Sequence, residues 1–320
     1  MHMKRPSILK KIGAIFLSAA ILLSSSGAVR AANKPMQPIF AYGESLTAQQ
    51  KQETAKLLGV NDSSLDMQVN IDEMNSLLHD QYHYYQVYSS VYIQPDNNVA
   101  GVSVEILTPK TITTITEAQY ENAAITAGAT NMRIRVASVK AVDGSGALAG
   151  VYKAFNSTVG ELPEENIKQA QKELTVTSKI TEENKEKKGY SDDLLNAAVA
   201  EIKAQIAAKK AENNGVINNG TINNIVDSVI NNYNLNGILS AENIDSLKDL
   251  MNQFSNLQLS EDQMEALKQF GQKLLKEGDK LLNGVKDTWN SLAPETKSGI
   301  QGFFSNIFEQ IKSFFQGLFS

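Results

Sequence analysis

The sequence predicts an α+β protein, a mixed N-terminal domain with helix–strand units and a β-hairpin, followed by an all-α C-terminal region that ends in an amphipathic helix. Three observations carry this. Two capping boxes each open a helical stretch that a glycine closes, and alternating apolar residues follow each glycine. Two runs rich in Val, Ile and Tyr lie between them. From Ser191 onward apolar residues recur at helical spacing with no convincing strand pattern.

Residues 1–31 read as an export signal. Lys4, Arg5, Lys10 and Lys11 form a basic flank, Ile12 to Leu23 form an apolar stretch too short to span a bilayer, and Val29-Arg30-Ala31 offers a small-x-small cleavage site. The mature chain is expected to begin near Ala32, with 32–39 as a linker. No Cys follows the apolar run, which excludes a lipoprotein-type start. The expected location is secreted or extracellular, with retention on the envelope left open.

In the domain expected over 40–180, Thr47-Ala48-Gln49-Gln50 and Thr116-Glu117-Ala118-Gln119 are the capping boxes, each Thr hydroxyl taking one orphan backbone N–H. Gly59 and Gly128 follow at the same distance from their Thr, as helix-ending residues do. Alternation then runs through Leu65, Met67 and Val69, and through Met132, Ile134 and Val136. A faint internal duplication and an independent recurrence of capping chemistry explain this spacing equally well. Tyr84 to Ile93 and Val99 to Leu107, joined by Pro95-Asp96-Asn97-Asn98, read as the hairpin. After Gly144-Ser145-Gly146, a helix over Ala147 to Phe155 puts Leu148, Val151, Tyr152 and Phe155 on one face. A run dense in Glu and Lys at 181–190 is expected to be a charged linker.

The helical region, 191–320, shows its period over Leu194 to Ile206, Ile222 to Ile230, Ile244 to Phe254 and Met264 to Leu275. The Asn-rich segment 213–236 reads as a loose helix or a polar linker, because Asn side chains compete for backbone hydrogen bonds. In the closing segment, 300–319, Ile300, Phe303, Phe304, Ile307, Phe308, Ile311, Phe314, Phe315, Leu318 and Phe319 fall within an arc of about 160° on a helix. This face is the candidate for contact with a membrane interface, for self-association through a partner helix, or for docking on its own domain.

Composition excludes several chemistries. The formal charge is −5, and loss of the signal removes five basic residues and no acid, so a nucleic-acid partner is not expected. With no cysteine there is neither disulfide nor thiolate chemistry. Of the three histidines, His79 and His83 stand four apart, but Asp80 occupies the place where a zinc protease needs Glu, so no metal site is assigned. The glycines at 144, 146 and 150 do not keep dinucleotide spacing, and no cofactor is expected. Ser45 and Ser145 lack a nucleophile-elbow pattern. Glu164 with Glu165, and Asp192 with Asp193, sit at helix starts and read as capping charge rather than a glycosidase pair. No catalytic residue is assigned.

Tyr42 to Thr47 with Leu58-Gly59-Val60, the helix Thr116 to Ala127 with Tyr120, Asn122, Ala123, Thr126 and Gly128, Val136-Ala137-Ser138, and Gly146 to Phe155 together resemble the domain-of-unknown-function family 1002. The likeness covers roughly residues 40–180. It implies an extracellular protein of Gram-positive bacteria with an α+β first domain, and brings no activity, ligand or site residue. The sequence expectation is therefore a secreted or envelope-associated binding protein without catalytic activity. A secreted hydrolase of wall polymer and a membrane-active protein working through 300–319 are the alternatives.

Overall fold

A computed structural model describes residues 37–78, 82–96, 98–99, 101–158 and 163–281. Five strands form one sheet: β1 (Ile39–Gly43), β2 (Leu65–Val69), β3 (Ser90–Pro95), β4 (Val102–Ile106) and β5 (Met132–Ala137), in the order β2-β1-β3-β5-β4. β1 and β2 are parallel, as are β4 and β5, and β3 runs antiparallel between them. The α+β class is as expected, with β1 beginning inside the segment assigned to a linker.

The hairpin is not formed. β5 lies between β3 and β4, so the two runs read as a hairpin never pair. The alternation in β3 and β4 defines an inward face but not a partner. The turn residues instead tie to β5: the Asp96 N–H donates to the Asn131 carbonyl at 2.9 Å, and Arg133 donates to the Asp96 carboxylate at 3.0 Å. β4 reaches β5 through a helical crossover, the connection parallel strands require.

That crossover is α3 (Glu117–Ala127), and its counterpart from β1 to β2 is α1 (Ala48–Leu58). Both capping boxes are made, and the closing glycines have φ of 67° at Gly59 and 121° at Gly128. α2 (Ile71–Leu78) follows β2, and α4 (Ser145–Thr158) follows β5. Ile39, Ala41, Val91, Ile93, Ile134 and Val136 face the main core with α4, whereas Phe40, Tyr92 and Ala137 face the other way and meet Leu58 of α1.

Helices α5 (Glu164–Asn184), α6 (Asp192–Glu212), α7 (Asn219–Asn232), α8 (Ala241–Phe254) and α9 (Glu261–Leu281) complete the described fold. The charged linker expected at 181–190 is the last turn of α5 and a tight turn, with Thr181, Asn184 and Tyr190 buried. Its Glu and Lys face solvent while these three face inward. One hydrophobic core runs through this junction, joining Ile125 and Tyr152 to Leu195, Ile202 and Leu250, so no boundary divides the core there. The Asn-rich segment resolves into α7 and its turns. Asn218 caps the helix, and Asn214 and Asn234 take φ of 53° and 55°, a conformation that Asn tolerates better than most residues.

Candidate functional site

β3 and β5 stay paired from Pro95 opposite Met132 to Ser90 opposite Ala137, and then part. A cavity of about 270 Å³ opens in this fork. One wall is the segment before β3, with Tyr82, His83, Tyr84, Tyr85 and Tyr88. The other is Ala141, Val142 and Asp143, beyond β5, and Ser89 and Gly146 line the cavity between them.

Main-chain bonds hold the tyrosine segment in place. Asn75 of α2 clamps Tyr84, accepting its N–H at 2.7 Å and donating to its carbonyl at 2.9 Å. Ser45, after β1, does the same for Val87: its Oγ accepts the Val87 N–H at 2.9 Å and its own N–H donates to the Val87 carbonyl at 3.2 Å. Between these clamps the segment projects Tyr85 outward, 78% exposed, and Tyr82, two residues before the first clamp, is 71% exposed.

The opposite wall is shaped by the turn into α4. Gly144 has φ of 115°, and the buried Tyr120 hydroxyl donates to its carbonyl at 2.6 Å. Burial pushes the Tyr120 phenol well above its ordinary range, which keeps it a donor. Asp143 caps the helix, accepting the Ser145 N–H at 3.1 Å and its hydroxyl at 2.8 Å. A Cβ on Gly146 would stand 2.8 Å from Val87 Cγ1 and 2.9 Å from Ser89 Oγ, so only glycine permits this approach.

The place of the fork in the sheet is informative. The chain leaves β1 for α1 on one face and leaves β5 for α4 on the other. The carboxyl ends of β1 and β5 therefore lie at the same end of the sheet, on either side of the start of the antiparallel β3. A second cavity, about 460 Å³, lies against α1, and two of the charges lining it are paired with each other: Lys51 meets Asp66 at 2.6 Å and sits 3.7 Å from the centre of the Tyr42 ring.

The residues singled out from the sequence are dispersed. Ile300, Phe303, Phe304, Ile307, Phe308, Ile311, Phe314, Phe315, Leu318 and Phe319 lie outside the described residues, as do His79 and the export signal. His83 stands on the fork wall, beyond the end of α2 at Leu78. Glu164 and Glu165 at the start of α5 pair with Lys168, at 2.6 and 3.7 Å. Among the described residues no three His, Cys, Asp or Glu gather as a metal site. The fork tyrosines were not singled out because Tyr84 to Ile93 reads as one strand. Adjacent Tyr84 and Tyr85 break the period of two there, within the unpaired stretch that precedes β3.

A buried polar seam joins α3, α5 and α6. Lys203 pairs with Glu173 at 2.8 Å, donates to Thr126 at 2.9 Å and bonds the Asn122 side chain, with both charged residues almost wholly enclosed. Burial raises the Glu173 pKa and lowers that of Lys203, each toward neutrality. Beside it Asp192 accepts hydrogen bonds from Thr116, Thr181 and Gln119 at 2.5, 2.6 and 3.1 Å. The seam fixes how helices pack and offers no opening to a ligand.

The site is thus a tyrosine-lined fork on an α+β frame, with no assembled catalytic set among the described residues. The chain belongs to the family described as protein of unknown function (DUF1002), whose model matches residues 42–270. It is 27% identical over 317 residues to the uncharacterized protein YpuA of Bacillus subtilis (strain 168), covering 96% of this chain and 100% of that protein. No solved structure matches.

Proposed function

We propose that this is a secreted or envelope-associated, non-catalytic binding protein that takes its ligand in the fork between β3 and β5. The observation that carries this reading is the segment pinned at Tyr84 and Val87 beside the fork, which holds Tyr85 out of the core at 78% exposure with Tyr82 at 71% just before it. Large aromatic side chains held rigidly in the open supply contact area at small entropic cost, as binding surfaces require. The export signal read in residues 1–31 supports placing that surface outside the cytoplasm, and the apolar face at 300–319 supplies a second contact, with an envelope component or another copy.

Fractionation of producing cells into medium, envelope and cytoplasm tests the location. Co-sedimentation of the purified protein with isolated envelope tests the site. The wild type is expected to sediment and the Tyr82→Ser/Tyr85→Ser variant to remain in solution. Equal sedimentation of the two would overturn the assignment of binding to the fork. Truncation after Gly299 separates the contribution of the tail from that of the tyrosines.

A further inference from the structure

We infer that the ligand of the fork is a neutral saccharide chain, whose ring faces stack on Tyr82 and Tyr85. This rests on the binding reading above and adds the chemistry of what is bound. A phenol ring presents a flat apolar face beside a hydroxyl, and tyrosine rather than phenylalanine or tryptophan occupies positions 82, 84, 85 and 88. The rings of Tyr82 and Tyr84 lie 6.3 Å apart at 50°, making a corner rather than a flat stack. A pyranose has the matching character, with an apolar C–H face and a rim of hydroxyls.

Charge excludes the principal competitors. A glycine-rich turn from strand to helix offers backbone N–H groups to phosphate, but here the Asp143 carboxylate already occupies that position, bonded to Ser145. An anion at the same spot would meet a like charge. A divalent cation needs several oxygen ligands, and among the described residues Asp143 is the single carboxylate on the cavity wall. For a cationic ligand, the Tyr88 ring is already faced by Lys140, 5.1 Å from its centre.

What remains on the wall is mostly uncharged hydrogen-bonding capacity. The exposed Gln86 and His83 line the cavity, with the Asp143 carboxylate at its rim, while the buried Ser89 hydroxyl is taken up by the Ala147 N–H. The volume, about 270 Å³, falls just below the roughly 300–1,000 Å³ of sites that enclose a small ligand, so the fork holds part of a chain and the tyrosine ledge carries the rest.

The test is calorimetric titration of the purified full-length protein with three neutral probes: the N-acetylglucosamine tetrasaccharide, cellotetraose and maltotetraose. Saturable binding of at least one is expected, weakened about tenfold or more in Tyr82→Ala/Tyr85→Ala with its circular dichroism unchanged. Absence of saturation by all three up to about millimolar concentration, or equal affinity in the variant, would overturn the inference. The same saccharides added to the envelope sedimentation assay tell two failures apart. Sedimentation that needs the tyrosines but resists every saccharide removes the ligand class and keeps the binding site. Sedimentation indifferent to the tyrosines removes both.

Discussion

Glu201 of α6 accepts the Tyr233 hydroxyl at 2.9 Å and a hydrogen bond from Gln205 at 2.9 Å, in surroundings that exclude water. Burial raises its pKa from 4.5 to about 7. The folded state therefore binds a proton more tightly than the unfolded chain does. Stability from this group is full below about pH 4.5 and is lost as pH rises through about 7. Glu201→Gln removes the dependence, so urea unfolding should find the variant gaining on the wild type across that window, by on the order of 3 kcal/mol. A difference that stays flat with pH would refute the assignment. Lys203 is the converse case, a charge that another charge compensates. Lys203→Met strands the Glu173 carboxylate and is expected to cost about 3–5 kcal/mol, while Lys203→Met with Glu173→Leu should cost clearly less. Equal unfolding midpoints for the single and double variants would show that the pair is not coupled.

The two capping boxes share a local pattern but not a setting, and this separates what sequence shows from what it hides. Thr47 caps an exposed helix start, whereas Thr116 also donates to the half-buried Asp192 across 76 residues of chain. Thr47→Ala is expected to cost about 1 kcal/mol and Thr116→Ala at least twice that, measured by thermal or urea unfolding. Equal costs would mean that the Asp192 contact contributes nothing. Both helices and their glycine stops were legible because capping chemistry is local. The false hairpin arose because alternation names a face and not a neighbour, and β5 could be placed beside β3 only through the Asp96 contacts with Asn131 and Arg133. Thr181, Asn184 and Tyr190 were likewise hidden in a run whose other side chains are solvent-loving. The fork was legible only as an irregularity at Tyr84 and Tyr85, because a cavity made by two strands parting has no contiguous signature.

At the scale of the whole molecule, α3 is the shared wall. Every residue from Ala118 to Ala127 is buried, between the sheet on one side and α5, α6 and α9 on the other. A fragment spanning 37–190 would leave much of that helix facing water, together with Glu173 lacking Lys203. It is expected to show no cooperative thermal transition, whereas 37–281 should unfold in one. A stable, cooperatively melting 37–190 fragment would restore an independent N-terminal domain. The fold class could be read from the sequence because periodicity survives at every scale; the unity of the core could not, because the contacts that make it lie far apart along the chain.

The clamps on Tyr84 and Val87 act on the peptide backbone alone. Side chains at 85 and 86 can therefore change while the ledge keeps its course, much as the tool in a chuck can be exchanged without touching the lathe. Under the proposed binding role, selectivity at this fork is open to revision by a few substitutions between the clamps, and a shared frame within the family is then compatible with divergent ligands.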